Sequence, residues 1–191
     1  VNQLRGKRSL RLNLGSGGNA APGWINIDIG ATDTRTLGWD IRTPLPFADC
    51  SVARVCASHV IEHMEFRQEV PALLAQLFVL LEVGGRIRIA VPDTARYLHA
   101  YVSGDAQRWA ELGLATLPTD MPTPMTMINH VFHQGGEHQF GYDFETLELL
   151  LRQAGFSEVV RSKYAQSAHF ESSLDPPVHA PYSLYVEASK R

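Results

Sequence analysis

Leu10, Leu12 and Leu14 alternate with polar neighbours near the start of the chain, the period-2 pattern of a strand, and predict one over residues 9–14. That strand runs straight into Gly15-Ser16-Gly17-Gly18. Residues 24–29, closing on Asn26-Ile27-Asp28, predict a second strand, and the apolar, β-branched run 52–58 a third that is buried. From 69 to 81 the period changes: Val70, Leu73, Leu74, Leu77, Leu80 and Leu81 form one helical stripe, stopped by Val83-Gly84-Gly85. Residues 86–91 predict the next strand, closed by Pro92-Asp93. Residues 94–142 lack a sustained period; short helices are expected at 96–101 and 106–114, and the stretch 118–136, rich in Pro, Met, Thr, His and Gly, is expected to be irregular. Helical spacing returns with Phe144, Leu147, Leu150 and Leu151 behind Asp143 as N-cap, and ends at Gly155. Residues 157–164 and 182–188 predict two closing strands joined by the Pro-containing segment 175–181.

Strands alternating with helical segments imply an α/β fold around a mainly parallel sheet with covered faces. Two final strands with no helix between them imply an antiparallel addition at one edge. Nothing divides the chain, so residues 1–191 are expected to form a single domain. The insert at about 94–142 should lie over the carboxyl ends of the strands, where open α/β sheets bind ligands, as a substrate-side cover. With 17 Lys and Arg against 20 Asp and Glu, the formal charge is -3 and nucleic acid is not an expected partner. The short basic run Arg5, Lys7, Arg8 and Arg11 is expected to be a solvated lead-in to the first strand. Cys50 and Cys56 suggest neither a disulfide framework nor a thiolate metal site, and Cys56 sits in an apolar run as a small hydrophobe. No apolar stretch approaches the roughly 20 residues of a membrane span, and a signal-peptide core is lacking, so the expected compartment is the cytoplasm.

A glycine-rich turn after the first strand lets backbone approach a nucleotide-like ligand, and Asp28 at the end of the second strand offers a carboxylate to both hydroxyls of a ribose. Gly15 and Asp28 are 13 positions apart, whereas a nicotinamide-binding fingerprint places its acid about 20 residues on, after a full helix. Pro22-Gly23 cuts the first crossover short, and Ala20 stands where that fingerprint needs its third glycine. Both features disfavour a nicotinamide-dependent oxidoreductase.

Four strings in order carry a resemblance. Leu12-Asn13-Leu14-Gly15-Ser16-Gly17 resembles the first motif of the class I S-adenosylmethionine-dependent methyltransferases. Trp39-Asp40-Ile41, followed by Leu45-Pro46-Phe47-Ala48-Asp49, residues 52–58 and His59-Val60-Ile61-Glu62-His63, is similar to their adenine loop and fourth strand. Residues 80–89 resemble their helix-to-fifth-strand passage, and residues 142–156 the helix before their sixth strand. Small bacterial methyltransferases of the type 11 group are the nearest in pattern. The resemblance implies a Rossmann-like fold, seven-stranded and mostly parallel with an antiparallel last strand and, here, a shortened first crossover helix. It implies S-adenosyl-L-methionine as cofactor. Gly15, Ser16 and Gly17 would line its methionine and ribose, Asp28 would bind the ribose, and Asp40 would accept from the adenine amino group with Ile41 packed on the ring. Ser58 and His59 would border the sulfonium. Asn13 stands where the family often has an acid.

The acceptor is expected to be a small molecule or a saccharide, methylated at a hydroxyl, with His133 in the insert as base and His59 as a positioning residue. No residue is assigned to a metal. An alternative gives a divalent ion to His59, Glu62, His63 and one of His130 and His133, because the first three share a helical face and a related pattern with Glu at position 59 holds metal in some class I O-methyltransferases. His99, His169 and His179 are expected to be surface or loop residues. A non-catalytic cofactor-binding subunit is the remaining alternative, and the oligomeric state is left open.

Overall fold

The computed structural model describes residues 6–191, which places Arg5 of the basic run outside the described residues. Among these residues are seven strands and five α-helices: β1 (Leu10–Leu14), β2 (Ile25–Asp28), β3 (Thr36–Gly38), β4 (Val52–Ser58), α1 (Glu69–Leu80), β5 (Leu81–Pro92), α2 (Thr94–Ser103), α3 (Ala106–Glu111), α4 (Pro124–His133), α5 (Phe144–Gln153), β6 (Ser157–Ser162) and β7 (Ser183–Ser189). The strands form one sheet in the order β3-β2-β1-β4-β5-β7-β6. β1 to β5 are parallel, and β7 runs antiparallel to β5 and β6 on either side. The α/β fold with an antiparallel last strand thus matches the expectation, with β1 inside the sheet and the glycine turn at its carboxyl end.

The two faces of this sheet differ. Alternate residues of the strands, among them Leu12, Leu14, Ile27, Val55, Ile89 and Val186, are buried on one face with the apolar stripes of α1 and α5. The intervening positions, Asn13, Asn26, Cys56, Arg88 and Glu187, are buried on the other. A parallel sheet covered by helices on both sides normally carries near-continuous apolar strands. Here the second face is polar at alternate positions, and the segments 16–24 and 163–182, which carry no α-helix, cover it. Asn13 and Asn26 bridge it: Asn13 Nδ2 donates to Asn26 Oδ1 at 2.9 Å and to the Asn19 carbonyl at 3.1 Å, and Asn26 Oδ1 also accepts from the Ala21 N–H at 2.8 Å. Side-chain amides therefore fix the helix-free first crossover. Trp24 stacks on Phe170 beside Cys56, whose thiol burial pushes up to about 12, as suits an inert core residue. Arg11 is a partner here rather than a solvated tail residue, pairing with Glu171 at 2.6 Å above the Trp24 ring.

Arg88 ties down the rest of the covering segment. Its side chain is 1% exposed, yet all five guanidinium N–H groups have acceptors. Nε and Nη2 donate to the two Asp175 oxygens at 3.1 and 2.6 Å, Nη1 to Glu187 Oε1 at 2.6 Å and Ser162 Oγ at 2.9 Å, and Nη2 also to the Lys163 carbonyl at 2.8 Å. Asp175 Oδ2 accepts in addition from the Ala165 N–H, closing the coil on itself.

Three stretches depart from the sequence expectation. Residues 94–133 hold the two expected short helices, as α2 and α3, and an unexpected third, α4, with Tyr97, Ala100, Trp109, Leu112, Met127 and Val131 forming a small core of their own. α4 lies inside the stretch expected to be irregular. Its start is a capping box, Thr123 with Thr126, followed by Pro124 in the first turn, where a missing N–H has no consequence. β3 is a three-residue edge strand too short to show a period. α1 ends at Leu80 instead of at the glycines: Leu81 already pairs with Val52, and residues 82–85 bulge before the ladder resumes with Arg86 opposite Arg54.

Replacing Arg88 with Met strands two buried carboxylates, at a cost of about 3–5 kcal/mol. In a chain of this size the melting temperature should fall on the order of 10 °C. An unchanged thermal or urea transition for Arg88→Met would show that the coil is held by other contacts.

Candidate active site

Beyond the carboxyl ends of β1, β2 and β4 the surface opens into three cavities that share His59. One of about 320 Å³ lies between Asp28, Trp39, Asp40, Ile41 and Met64. A second, of about 240 Å³, is lined by residues 15–19, Ser58 and His179. The third, about 520 Å³, lies between the sheet and the helical insert, with His63, Tyr97, His130, His138, His179 and Tyr182 in its wall. Gly15 borders the first two. Its φ is +58°, and a Cβ there would run into the Val60 side chain, so the turn and the packing both demand glycine.

The cofactor residues implied by the sequence cluster around the two smaller cavities. Asp28 is half-buried; its Oδ2 accepts from the Gly17 N–H at 2.8 Å and its Oδ1 from the Gly30 N–H at 2.7 Å. One carboxylate thus shapes the glycine turn and retains lone pairs for a further donor. Ser16 Oγ and Ser58 Oγ are buried without hydrogen-bond partners, as is Trp39 Nε1. Buried polar atoms are rarely left so, and three of them around two adjoining cavities suit a polar ligand that completes them. Asp40 lines the first cavity, and its carboxylate is engaged by the Arg42 guanidinium at 2.9 and 2.8 Å and by the Arg42 N–H at 3.0 Å, which holds it below the usual carboxylate range.

His59 has a left-handed φ of +55°, a strained conformation for a residue with a Cβ, and its N–H donates to the Ala90 carbonyl at 2.8 Å. The ring is gripped on both sides. Nε2 lies 2.7 Å from Ser183 Oγ, and Nδ1 lies 3.1 Å from Glu62 Oε1. That second contact is close but off the line of a hydrogen bond, so both oxygens of the buried Glu62 carboxylate are without hydrogen-bond partners.

The insert does not bring His133 to these cavities. That residue is exposed at the last turn of α4, while His130, one turn earlier, faces the largest cavity. The geometry instead adds His179, which sequence reasoning treated as a surface or loop residue. Its ring centroid is 3.8 Å from that of His59, its Nδ1 is buried without a partner, and it borders both the 240 Å³ and the 520 Å³ cavities. Burial, with His59 next in effect, lowers its pKa to about 4. Tyr182 stands beside both histidines, its phenol pushed up by burial and then by Glu62. His179 and Tyr182 arrive from a Pro-rich coil 120 residues after His59, and no local pattern announces them; only Pro176, Pro177 and Pro181 hint at a fixed chain path.

No protein-family model matches the chain, and no curated protein matches it in sequence. Solved structures match it in fold. An S-adenosylmethionine-dependent methyltransferase of Thermotoga maritima superposes with a TM-score of 0.57 at 15% identity, over 95% of this chain and 82% of its own. One from Archaeoglobus fulgidus gives 0.55 at 16% identity, over 98% and 88%. The 1,6-didemethyltoxoflavin-N1-methyltransferase of Burkholderia thailandensis, solved with 1,6-didemethyltoxoflavin and S-adenosylhomocysteine, gives 0.53 at 13% identity, over 97% and 72%. The chain has the fold of the class I S-adenosylmethionine-dependent methyltransferases.

The lowered pKa of His179 has a measurable sign. An ordinary histidine titrates near 6.5; a folded-state value of about 4 means that folding excludes the proton in between. His179 therefore favours the folded state fully above about pH 6.5 and loses that contribution as pH falls toward 4. An NMR titration should find the His179 imidazole neutral at pH 5, its signal assigned by its absence from the spectrum of His179→Gln. Titration of His179 near 6.5 would contradict the burial.

Proposed function

We propose that the chain is an S-adenosylmethionine-dependent methyltransferase acting on a small-molecule or saccharide acceptor at a hydroxyl. The observation that carries this is the meeting of three cavities at His59, one edged by the unpartnered Ser16 and Ser58 hydroxyls and one by the Asp28 carboxylate at the strand ends. Neighbours in fold named for small-molecule methylation support it. The net charge of -3 argues against a nucleic-acid acceptor. No described helix is long and apolar enough to cross a membrane.

S-adenosylmethionine, when bound, supplies an electrophilic methyl group on a sulfonium. Asp28 would accept from the ribose hydroxyls, while Trp39, Ile41 and Met64 would pack around the adenine. Asp40 serves that loop through Arg42, which its carboxylate grips. Gly15 and Gly17 keep the turn free of side chains, and the Ser16 and Ser58 hydroxyls would meet the polar methionine end. The acceptor would enter the 520 Å³ cavity. His59, clasped by Ser183 and Glu62, is a positioning residue. His179, which borders the acceptor cavity where the exposed His133 does not, would take the hydroxyl proton. A nitrogen acceptor would need alignment alone.

Two outcomes follow. Asp28→Ala removes the acceptors for two hydroxyls, each worth about 1.5–3 kcal/mol, and should weaken cofactor binding at least about tenfold by calorimetry; unchanged affinity in a folded variant refutes the assignment. His179→Ala should lower kcat about 100-fold or more with cofactor affinity kept. The wild-type rate should hold steady down the pH scale until near pH 4, since the base stays unprotonated above that value. An acid limb near pH 6.5, or a His179→Ala variant of full activity, would point to a different base or to a nitrogen acceptor.

A further inference from the structure

We propose that Glu62, His63 and His138 form a binding site for a divalent transition ion of the zinc type in the wall of the large cavity. Each offers one donor atom, and the three donors lie within 4.8 Å of one another. Two imidazoles and a carboxylate are a ligand set that zinc and its first-row neighbours favour, and three protein ligands leave a position for a fourth.

Each imidazole keeps one nitrogen clear of the backbone. His63 Nδ1 lies 3.2 Å from the Glu137 carbonyl and His138 Nδ1 lies 2.7 Å from the Val131 carbonyl. A carbonyl only accepts, so the proton of each ring sits on Nδ1 and Nε2 presents its lone pair. Backbone-tethered Nδ1–H groups of this kind are the usual support behind metal-bound histidines. The third donor supplies the independent observation. Glu62 is 1% exposed, and both its oxygens lack hydrogen-bond partners. Oε1 lies 3.1 Å from His59 Nδ1, and Oε2 is left for a cation, which a buried carboxylate calls for.

The two ligand-bearing segments are joined without help from an ion. The Glu62 carbonyl accepts from the Gln139 N–H at 2.7 Å and the Phe140 N–H at 3.4 Å, and Phe66 stacks on Phe140 with centroids 3.8 Å apart. Bonds of about 2.0–2.2 Å in a tetrahedron put donors about 3.4 Å from each other. The remaining contraction is about 1 Å, and His63 is the exposed member of the three. This differs from the ligand set expected from the sequence: His138 replaces His130 and His133, and His59 is drawn off by Ser183. His63 and His138 both line the 520 Å³ cavity, so the fourth position opens on it. An acceptor hydroxyl could complete the coordination there and be acidified by the ion, a role that rests on the methyl-transfer reading, whereas the site itself does not.

The test uses the full chain without a histidine tag, stripped with chelator, and no S-adenosylmethionine. Calorimetry with Zn²⁺ should show one equivalent bound, and Co²⁺ should give a tetrahedral-type visible spectrum that Zn²⁺ abolishes. Glu62→Gln and His138→Gln should each weaken binding roughly 100-fold or more, with His99→Gln and His133→Gln unchanged. Should the buried variants fail to fold, nitrogen NMR of the wild type decides: Zn²⁺ should shift Nε2 of His63 and His138. No stoichiometric binding, binding that persists in the ligand variants, or shifts confined to His59 would overturn the site and leave Glu62 as the orienting partner of His59. None of these results bears on methyl transfer, which cofactor binding tests separately.

Discussion

A guanidinium buried on the polar face of the sheet is the constraint from which the rest of this molecule follows. Arg88 projects from the middle of β5 into a layer that has no α-helix to fill it, and there it gathers Asp175, Glu187, Ser162 and the Lys163 carbonyl. Such a cluster adds little net stability over a well-packed apolar one, because desolvation offsets most of the attraction. Its value is geometric. Five directed bonds allow one path for the chain, and a coil without periodic backbone bonds needs that instruction. Asp175 lies four residues before His179, so the same bonds that close the second face also place an imidazole against His59.

Most of the sheet was legible because its strands carry their information locally. The alternation of Leu10, Leu12 and Leu14 was visible, and it meant more than a strand: it meant a sheet with two unlike faces. Asn13 shows the limit of pattern matching. Against the family pattern it is a departure at the cofactor, whereas in the structure it is a strut to Asn26 that stands in for a crossover helix. The helix α4 was hidden by composition, since Pro, Thr and Met mask spacing, although Thr123-Pro124 marks its start.

The candidate site divides along the same line. Gly15, Ser16, Gly17, Asp28, Ile41, Ser58 and His59 sit on strand ends or the turns that follow, so short-range sequence locates them, and all seven border the two smaller cavities. The residues lining the largest cavity come mostly from the insert and the final coil, where long-range packing decides what points inward. That is why His133, chosen from its neighbourhood in sequence, lies outside, and why His138 and His179 had no signal of their own. His130 and His133 are one turn apart on α4, and only the packed helix shows that His130 alone reaches the cavity.

The insert keeps its own core, built from Tyr97, Ala100, Trp109, Leu112, Met127 and Val131, apart from the core beneath the sheet. Two cores in one short chain mean two mutational accounts. A change of shape among the insert's helices can be absorbed within their own core while the strands beneath need not respond, so the two parts of the chain are free to vary in sequence independently.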